Sequence, residues 1–317
     1  MAGMGVAMEK EIRQQPSVLA EQGPKWFDQA SSALAGRRFD MVLLAARGSS
    51  DHAALYARYL IEIYLQIPVC LAAPSVLTRY GSKVKYQNCL AIGISQSGAA
   101  PDVAEVMSEL KAQGNFTIGI TNTAGSRLTQ VTDLALLLEA GEEVSIAATK
   151  TYSASLLALY QVIRALGADL PDPQGQTPDD AWVNACHESA VESLGPVLRC
   201  EPLFSLARGI NFCTAHEAAL KLMECALLPC KAYSTADFAH GPKALADART
   251  AALCFGEAAP ELTESGMVLV KSLDADKGPL EPVWQAVYAQ WVALLAARAR
   301  GLDPDRAQNL NKVTKTL

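Results

Sequence analysis

Short apolar runs alternate along the chain with longer stretches in which apolar positions recur every three or four residues. Residues 41–48 (MVLLAARG), 69–73 (VCLAA), 89–95 (CLAIGIS), 116–121 (FTIGIT) and 134–140 (LALLLEA) are runs of strand length. Between and after them lie SDHAALYARYLIEIYLQ, APDVAEVMSELKAQG and TKTYSASLLALYQVIRALG, whose periods predict helices. A strand with little polar alternation is buried on both faces, which calls for a parallel sheet covered by helices on each side. The pattern predicts an α/β, doubly wound architecture.

The period breaks at residues 167–180, GADLPDPQGQTPDD, a stretch rich in Pro, Gly and Asp that reads as a linker. Beyond it the alternation restarts with PLFSLARGI as a strand, TAHEAALKLMECALL as a helix, and AALCFGEA and MVLVKSL as strands. LAARGSSDHAAL and SLARGINFCTAHEAAL share a strand, Ala-Arg-Gly, a loop and a helix opening on Ala-Ala-Leu, about 160 residues apart. That spacing fits a duplicated domain better than a short-period solenoid, while chance likeness between two βα units gives the same pattern. Little sequence separates MVLVKSL from PLEPVWQAVYAQWVALLAARARG, so the second lobe is expected to be reduced. The expected organisation is a helical arm over 1–34, a first domain over 35–166, the linker over 167–180, and a second domain with a C-terminal tail over 181–317.

Half of the 317 residues are hydrophobic and 19% are charged, as in a globular protein. A net charge of -6 argues against a nucleic-acid or anionic-membrane surface, so any bound anion must be held locally. The eight cysteines form no CxxC pair and several sit in apolar runs, as expected of reduced thiols in a cytosolic protein. The four histidines never stand at ligand spacing, so no structural metal is expected. The N-terminus lacks a signal-peptide core and no run reaches membrane-spanning length, which predicts a cytoplasmic protein.

The loop Ser95-Gln96-Ser97-Gly98 joins an apolar run to a helix start. Seryl hydroxyls and free N–H groups at such a place favour negative charge. No lysine and no nucleotide-binding glycine motif accompanies it, which suits a single phosphate monoester such as a sugar phosphate. Taken alone, the loop is equally well a capped helix. The stretch ARGSSD (46–51) repeats the arrangement, and two such loops could grip both ends of a small polar ligand.

The ordered set RGSS, SQSG, AATKTY, EAALKLME, AHGP and NLNKV resembles the sugar isomerase (SIS) family. Within it, the likeness is to the isomerase half of glucosamine-6-phosphate synthase and to stand-alone glucosamine-6-phosphate deaminases. The resemblance implies two flavodoxin-like lobes. It implies that Ser95, Gln96 and Ser97 hold the sugar phosphate and that Ser49, Ser50 and Ala147 contact the substrate. Glu224 would move a proton between C1 and C2, and His240 and Lys312 would assist ring opening. It also implies no cofactor and a homodimer with the site near the subunit interface.

The residues alone say less. Glu217, Lys221 and Glu224 share one helical face, which reads as a solvated stripe of salt bridges. His240-Gly241-Pro242 reads as a turn and Lys312 as a surface residue of the tail. Ala99-Ala100 replaces the synthase's Glu-Thr, and Arg47 replaces its Cys. With Pro101-Asp102, these departures look like the stand-alone deaminase branch. No glutaminase domain stands ahead of the isomerase motifs, so glutamine hydrolysis by that route is not expected. The expected activity is conversion of glucosamine 6-phosphate to fructose 6-phosphate and ammonia. The alternatives are a fructosyl-amine 6-phosphate deglycase and a non-catalytic sugar-phosphate-binding protein.

Overall fold

The computed structural model describes residues 3–257, 262, 264–306, 309, 310 and 312. Within the tail motif NLNKV, Asn311 and Val313 lie outside the described residues. The chain divides into two compact units, the first made of Ser17–Glu142 and Thr151–Gln176. The second takes the residues up to Pro16, Glu143–Lys150 and Thr177–Lys312. A long helix, α1 (Val6–Leu34), contributes its turns from Ser17 onward to the first unit and its earlier turns to the second.

The first unit is built on β1 (Met41–Ala45), β2 (Val69–Leu71), β3 (Cys89–Ile94), β4 (Phe116–Thr121) and β5 (Leu134–Leu137). Their order is β2-β1-β3-β4-β5 and every neighbouring pair is parallel. Parallel neighbours need crossovers, supplied by α2 (Ser49–Leu60), the short α3 (Ser75–Thr78), α4 (Pro101–Ala112) and the short α5 (Arg127–Val131). α6 (Lys150–Ala165) follows β5. One core face of the sheet, Leu43, Ala45, Cys89 and Ala91, meets Val103, Met107 and Leu110 of α4. The helix approaches so closely that a Cβ on Gly93 would lie 2.7 Å from Met107 Cγ.

In the second unit, α7 (Asp180–Arg199) leads to β6 (Leu203–Ala207), α8 (Phe212–Ala226), β7 (Cys230–Ser234) and the short α9 (Thr235–Ala239). β8 (Ala251–Phe255), β9 (Val268–Lys271) and α10 (Glu281–Ala299) complete it. The strands order as β7-β6-β8-β9, all parallel, one strand fewer than the first sheet. This is the reduced second lobe. α10 is buried nearly all round, which its sequence dictates because it has no polar face to give to water. It lies in one core with Val183, Cys186 and Ala190 of α7 and Ala215, Ala218 and Leu222 of α8.

Two elements do not stand out in the pattern. α7 is capped by Asp179, whose Oδ1 accepts from Trp182 N at 2.8 Å, but its apolar face follows directly on the linker. β7, CKAYS, is a short edge strand with Lys231 exposed, and it follows Pro229. No helix among the described residues is long and apolar enough to cross a membrane. Among them, no three His, Cys, Asp or Glu side chains are grouped to hold a metal ion.

Candidate functional site

In an open parallel sheet, ligands bind at the carboxyl ends of the strands where the order reverses. In the first sheet that point lies between β1 and β3, and both hydroxyl-rich loops leave from there. Ala45 at the end of β1 is in register with Gly93 in β3, so the segments Arg47–Ser50 and Ser95–Gly98 emerge side by side. Ser49 and Ser50 open α2 and are half-buried.

The second loop is held by its own backbone. Ser95 N donates to Ile120 O at 3.0 Å, extending the β3–β4 ladder by one bond. The Gln96 carbonyl accepts from Asn122 N at 2.9 Å and from Thr121 Oγ1 at 3.1 Å. Gly98 N closes the turn on Ser95 O at 3.0 Å. Gly98 has φ +60°, and a Cβ there would fall 2.1 Å from Ser126 Oγ, so no other residue fits without displacement. Ser97 Oγ accepts from Ala99 N at 3.3 Å, Ser95 is buried, and Gln96 and Ser97 are half-buried.

α4 begins at Pro101 with no side-chain cap from Ala100. Asp102 takes part of that place. Its Oδ1 accepts from Val103 N at 2.9 Å, and Oδ2 accepts from Arg47 Nε at 2.8 Å. Asp102 is only 2% exposed, so its charge at this helix start is balanced by a guanidinium from the other loop. Replacing Arg47 by Ala is expected to lower stability by about 1–3 kcal/mol, since it removes a charge-assisted hydrogen bond from a buried carboxylate. It is also expected to weaken anion binding at the loop, because Asp102 then repels the ligand. Urea unfolding and phosphate titration check the two effects separately.

In the second unit, α8 starts at the carboxyl end of β6, beside that sheet's own reversal between β6 and β8. The solvated reading of its charged stripe is overturned. Glu217 and Lys221 are 0% and 1% exposed, because α8 turns this face into the unit rather than to water. Lys221 Nζ lies 3.4 Å from Glu217 Oε1 and donates to Glu224 Oε2. Burial pulls the lysine's pKa down, but the two carboxylates outweigh it and hold the ammonium above its ordinary value. The Glu224 side chain keeps 24% exposure, so a carboxylate fixed from within still reaches the surface of the helix.

The other predicted residues stand in different settings. Lys312 donates from Nζ to Glu143 Oε2 at 3.0 Å and also to the Ser145 carbonyl. Ala147 is buried in the second unit's core, so its side chain is engaged and only its main chain is available to a ligand. His240 caps α9, its backbone N donating to Asp237 O at 3.1 Å, and its ring is exposed. Among the described residues, the structure joins Glu224 to Lys221 and Lys312 to Glu143, while the His240 ring makes no hydrogen bond. Glu143 was not singled out by sequence; the signal was an acidic pair, Glu142-Glu143, shortly before AATKTY.

The first unit thus presents two hydroxyl-rich loops at its sheet's reversal point, and the second a carboxylate braced by a buried ammonium. The model of the SIS domain matches residues 38–165, and the chain carries an SIS domain there. Its relatives include the glutamine–fructose-6-phosphate aminotransferase (isomerizing) of Thermococcus kodakarensis, 29% identical over 98% of this chain. The chain spans 58% of that relative's length. Among solved structures, a candidate phosphosugar isomerase of Silicibacter pomeroyi DSS-3 has TM-score 0.83 at 26% identity, covering 94% of this chain and 99% of its own. The glucosamine-6-phosphate deaminase of Thermotoga maritima has the same fold, with TM-score 0.78 at 24% identity, over 98% of this chain and 100% of its own.

Proposed function

We propose that this protein is an isomerising aminosugar-6-phosphate deaminase that converts glucosamine 6-phosphate and water to fructose 6-phosphate and ammonia. The observation that carries the reading is the buried Glu217–Lys221–Glu224 stripe, which fixes one partly exposed carboxylate on a rigid helix. In this reading Ser95, Gln96 and Ser97 bind the phosphate, and Ser49, Ser50 and the main chain at Ala147 bind the sugar. His240 and Lys312 assist ring opening, which needs an acid at the ring oxygen and a base at the anomeric hydroxyl. Glu224 takes the C2 proton of the open-chain amino aldose and returns it to C1. The amine nitrogen is then a ketimine at C2, and water hydrolyses it to the ketose and ammonia. The substrate's own carbonyl and amine accommodate the electrons, so the reaction calls for no cofactor.

A homodimer with its site near the subunit interface, working in the cytoplasm, belongs to the same proposal. The test is nitrogen release from a panel of amino-sugar 6-phosphates and fructosyl-amine 6-phosphates. Ammonia from glucosamine 6-phosphate is expected. Activity confined to fructosyl-amines makes the protein a deglycase, and binding without turnover of any substrate makes it a sensor.

A further inference from the structure

Lys312 is held by a set of groups that the proposed reaction leaves without a role. Its Nζ donates to Glu143 Oε2 at 3.0 Å, and the Glu143 side chain has no solvent exposure. The other Glu143 oxygen accepts from Thr149 N at 3.0 Å and lies 2.9 Å from Thr149 Oγ1. A second carboxyl meets the same hydroxyl. Glu11, on α1 and 3% exposed, places Oε2 3.1 Å from Thr149 Oγ1. Its Oε1 accepts from the backbone N of Val144 and, at 3.1 Å, of Ser145. All of these residues belong to the second unit.

Proton counting decides the charges. A threonine hydroxyl has one hydrogen to donate, so it cannot satisfy two ionised carboxylates at once. It can donate to one and accept from the other only if the other carries a proton. The ionised member is the one against the ammonium, which is Glu143, because a charge leaves water cheaply only when paired. The protonated member is then Glu11, whose remaining oxygen is already matched by two amide N–H groups. Burial, and then the charge of Glu143, push the Glu11 carboxyl above its ordinary range, in agreement. Lys150, next in sequence, donates to Gln14 Oε1 at 2.9 Å.

We propose that Glu143 is a positioning residue that docks the Lys312 ammonium, and that Glu11 is the uncharged end of a hydrogen-bond chain running through Thr149 to Glu143. The proposal rests on the reading that Lys312 acts in ring opening, and it adds the groups that orient the tail lysine for that work. Two near-isosteric changes separate the two carboxyls. In Glu11→Gln the amide oxygen still accepts from Val144 and Ser145 and the amide nitrogen still donates to Thr149, so docking persists. In Glu143→Gln the Thr149 contact persists and the charge on Lys312 loses its partner.

The test uses the full chain and two readouts. The first is acylation of Lys312 by an amine-reactive ester, followed by peptide mass spectrometry. Glu143→Gln is expected to speed it several-fold, because the amine is no longer held on a buried acceptor, and Glu11→Gln to leave it near the parent rate. Glu143→Asp, which keeps the charge with a shorter reach, should restore part of the protection, and it replaces the Gln variant if that one does not fold. Equal labelling in the parent and both Glu143 variants overturns the proposal. The second readout is turnover in a double-mutant cycle. Glu143→Gln should lower kcat about tenfold in the parent and have no effect in Lys312→Ala, because coupled residues do not add. The same fall in both backgrounds rejects the positioning role and leaves the part of Lys312 intact. Parent-level turnover by Lys312→Ala itself rejects the part of Lys312 in the proposed reaction, and the positioning role with it.

Discussion

Glu224→Gln is expected to bind sugar phosphate as the parent does and to turn it over about 10²-fold or more slowly. Gln retains the size of the side chain and an oxygen to accept from Lys221, so the stripe on α8 keeps its geometry. What it loses is the ability to take a proton from carbon. The expected signature is a fall in kcat with KM little changed, the pattern of an interaction made only on the way to the transition state. The buried lysine sharpens the expectation. With one carboxylate gone, Glu217 still faces Lys221 at 3.4 Å, so the ammonium is not left alone and the fold should survive. Solvent-deuterium exchange at C2 of the substrate reads the step directly. Exchange at the parent rate in the variant means that Glu224 is a structural charge and no more.

The second large effect is on the anion. Ser95→Ala with Ser97→Ala removes two hydroxyls from the loop at the first sheet's reversal point. Hydrogen bonds to a charged group contribute roughly 1.5–3 kcal/mol each before non-additivity, so Kd for a sugar phosphate should rise about tenfold or more per hydroxyl. The loop itself should persist, since Ser95 N on Ile120 O and the two donors to the Gln96 carbonyl are independent of both hydroxyls. Ser97 Oγ also accepts from Ala99 N, which makes the single Ser97 variant the one more prone to loosen the turn. Calorimetry separates the cases, and unchanged affinity in the double variant removes the loop from the site.

The first sheet was legible because its strands are apolar on both faces and its helices are not. Five runs in the sequence are five strands in the structure, in the α/β arrangement that such runs require. The second unit was harder to read. Among the described residues β7 is an edge strand paired with β6, so it has no need of a continuous apolar run, and CKAYS carries none. α7 has a regular buried face at Val183, Cys186, Ala190 and Val197, but the turn residues just before it masked its start.

At the candidate site, helical spacing put Glu217, Lys221 and Glu224 on one face correctly and said nothing of what that face meets. Period reports which residues share a side of a helix; burial depends on the neighbours, and here the neighbours enclose the first two. Pairs set by tertiary register were not legible at all. Arg47 and Asp102 are 55 positions apart, and only the β1–β3 register brings their loops together. Lys312 and Glu143 are 169 positions apart, and no local rule links a tail lysine to an acidic pair before α6.

In the proposed reaction, proton transfer on a phosphosugar ends in release of nitrogen. The most direct measurement incubates the full chain with glucosamine 6-phosphate and follows ammonia and fructose 6-phosphate in separate coupled assays. Equal amounts of the two are expected, formed at the same rate and lost together in Glu224→Gln. Fructose 6-phosphate without ammonia, or neither product from protein that binds the sugar phosphate, contradicts the proposed reaction.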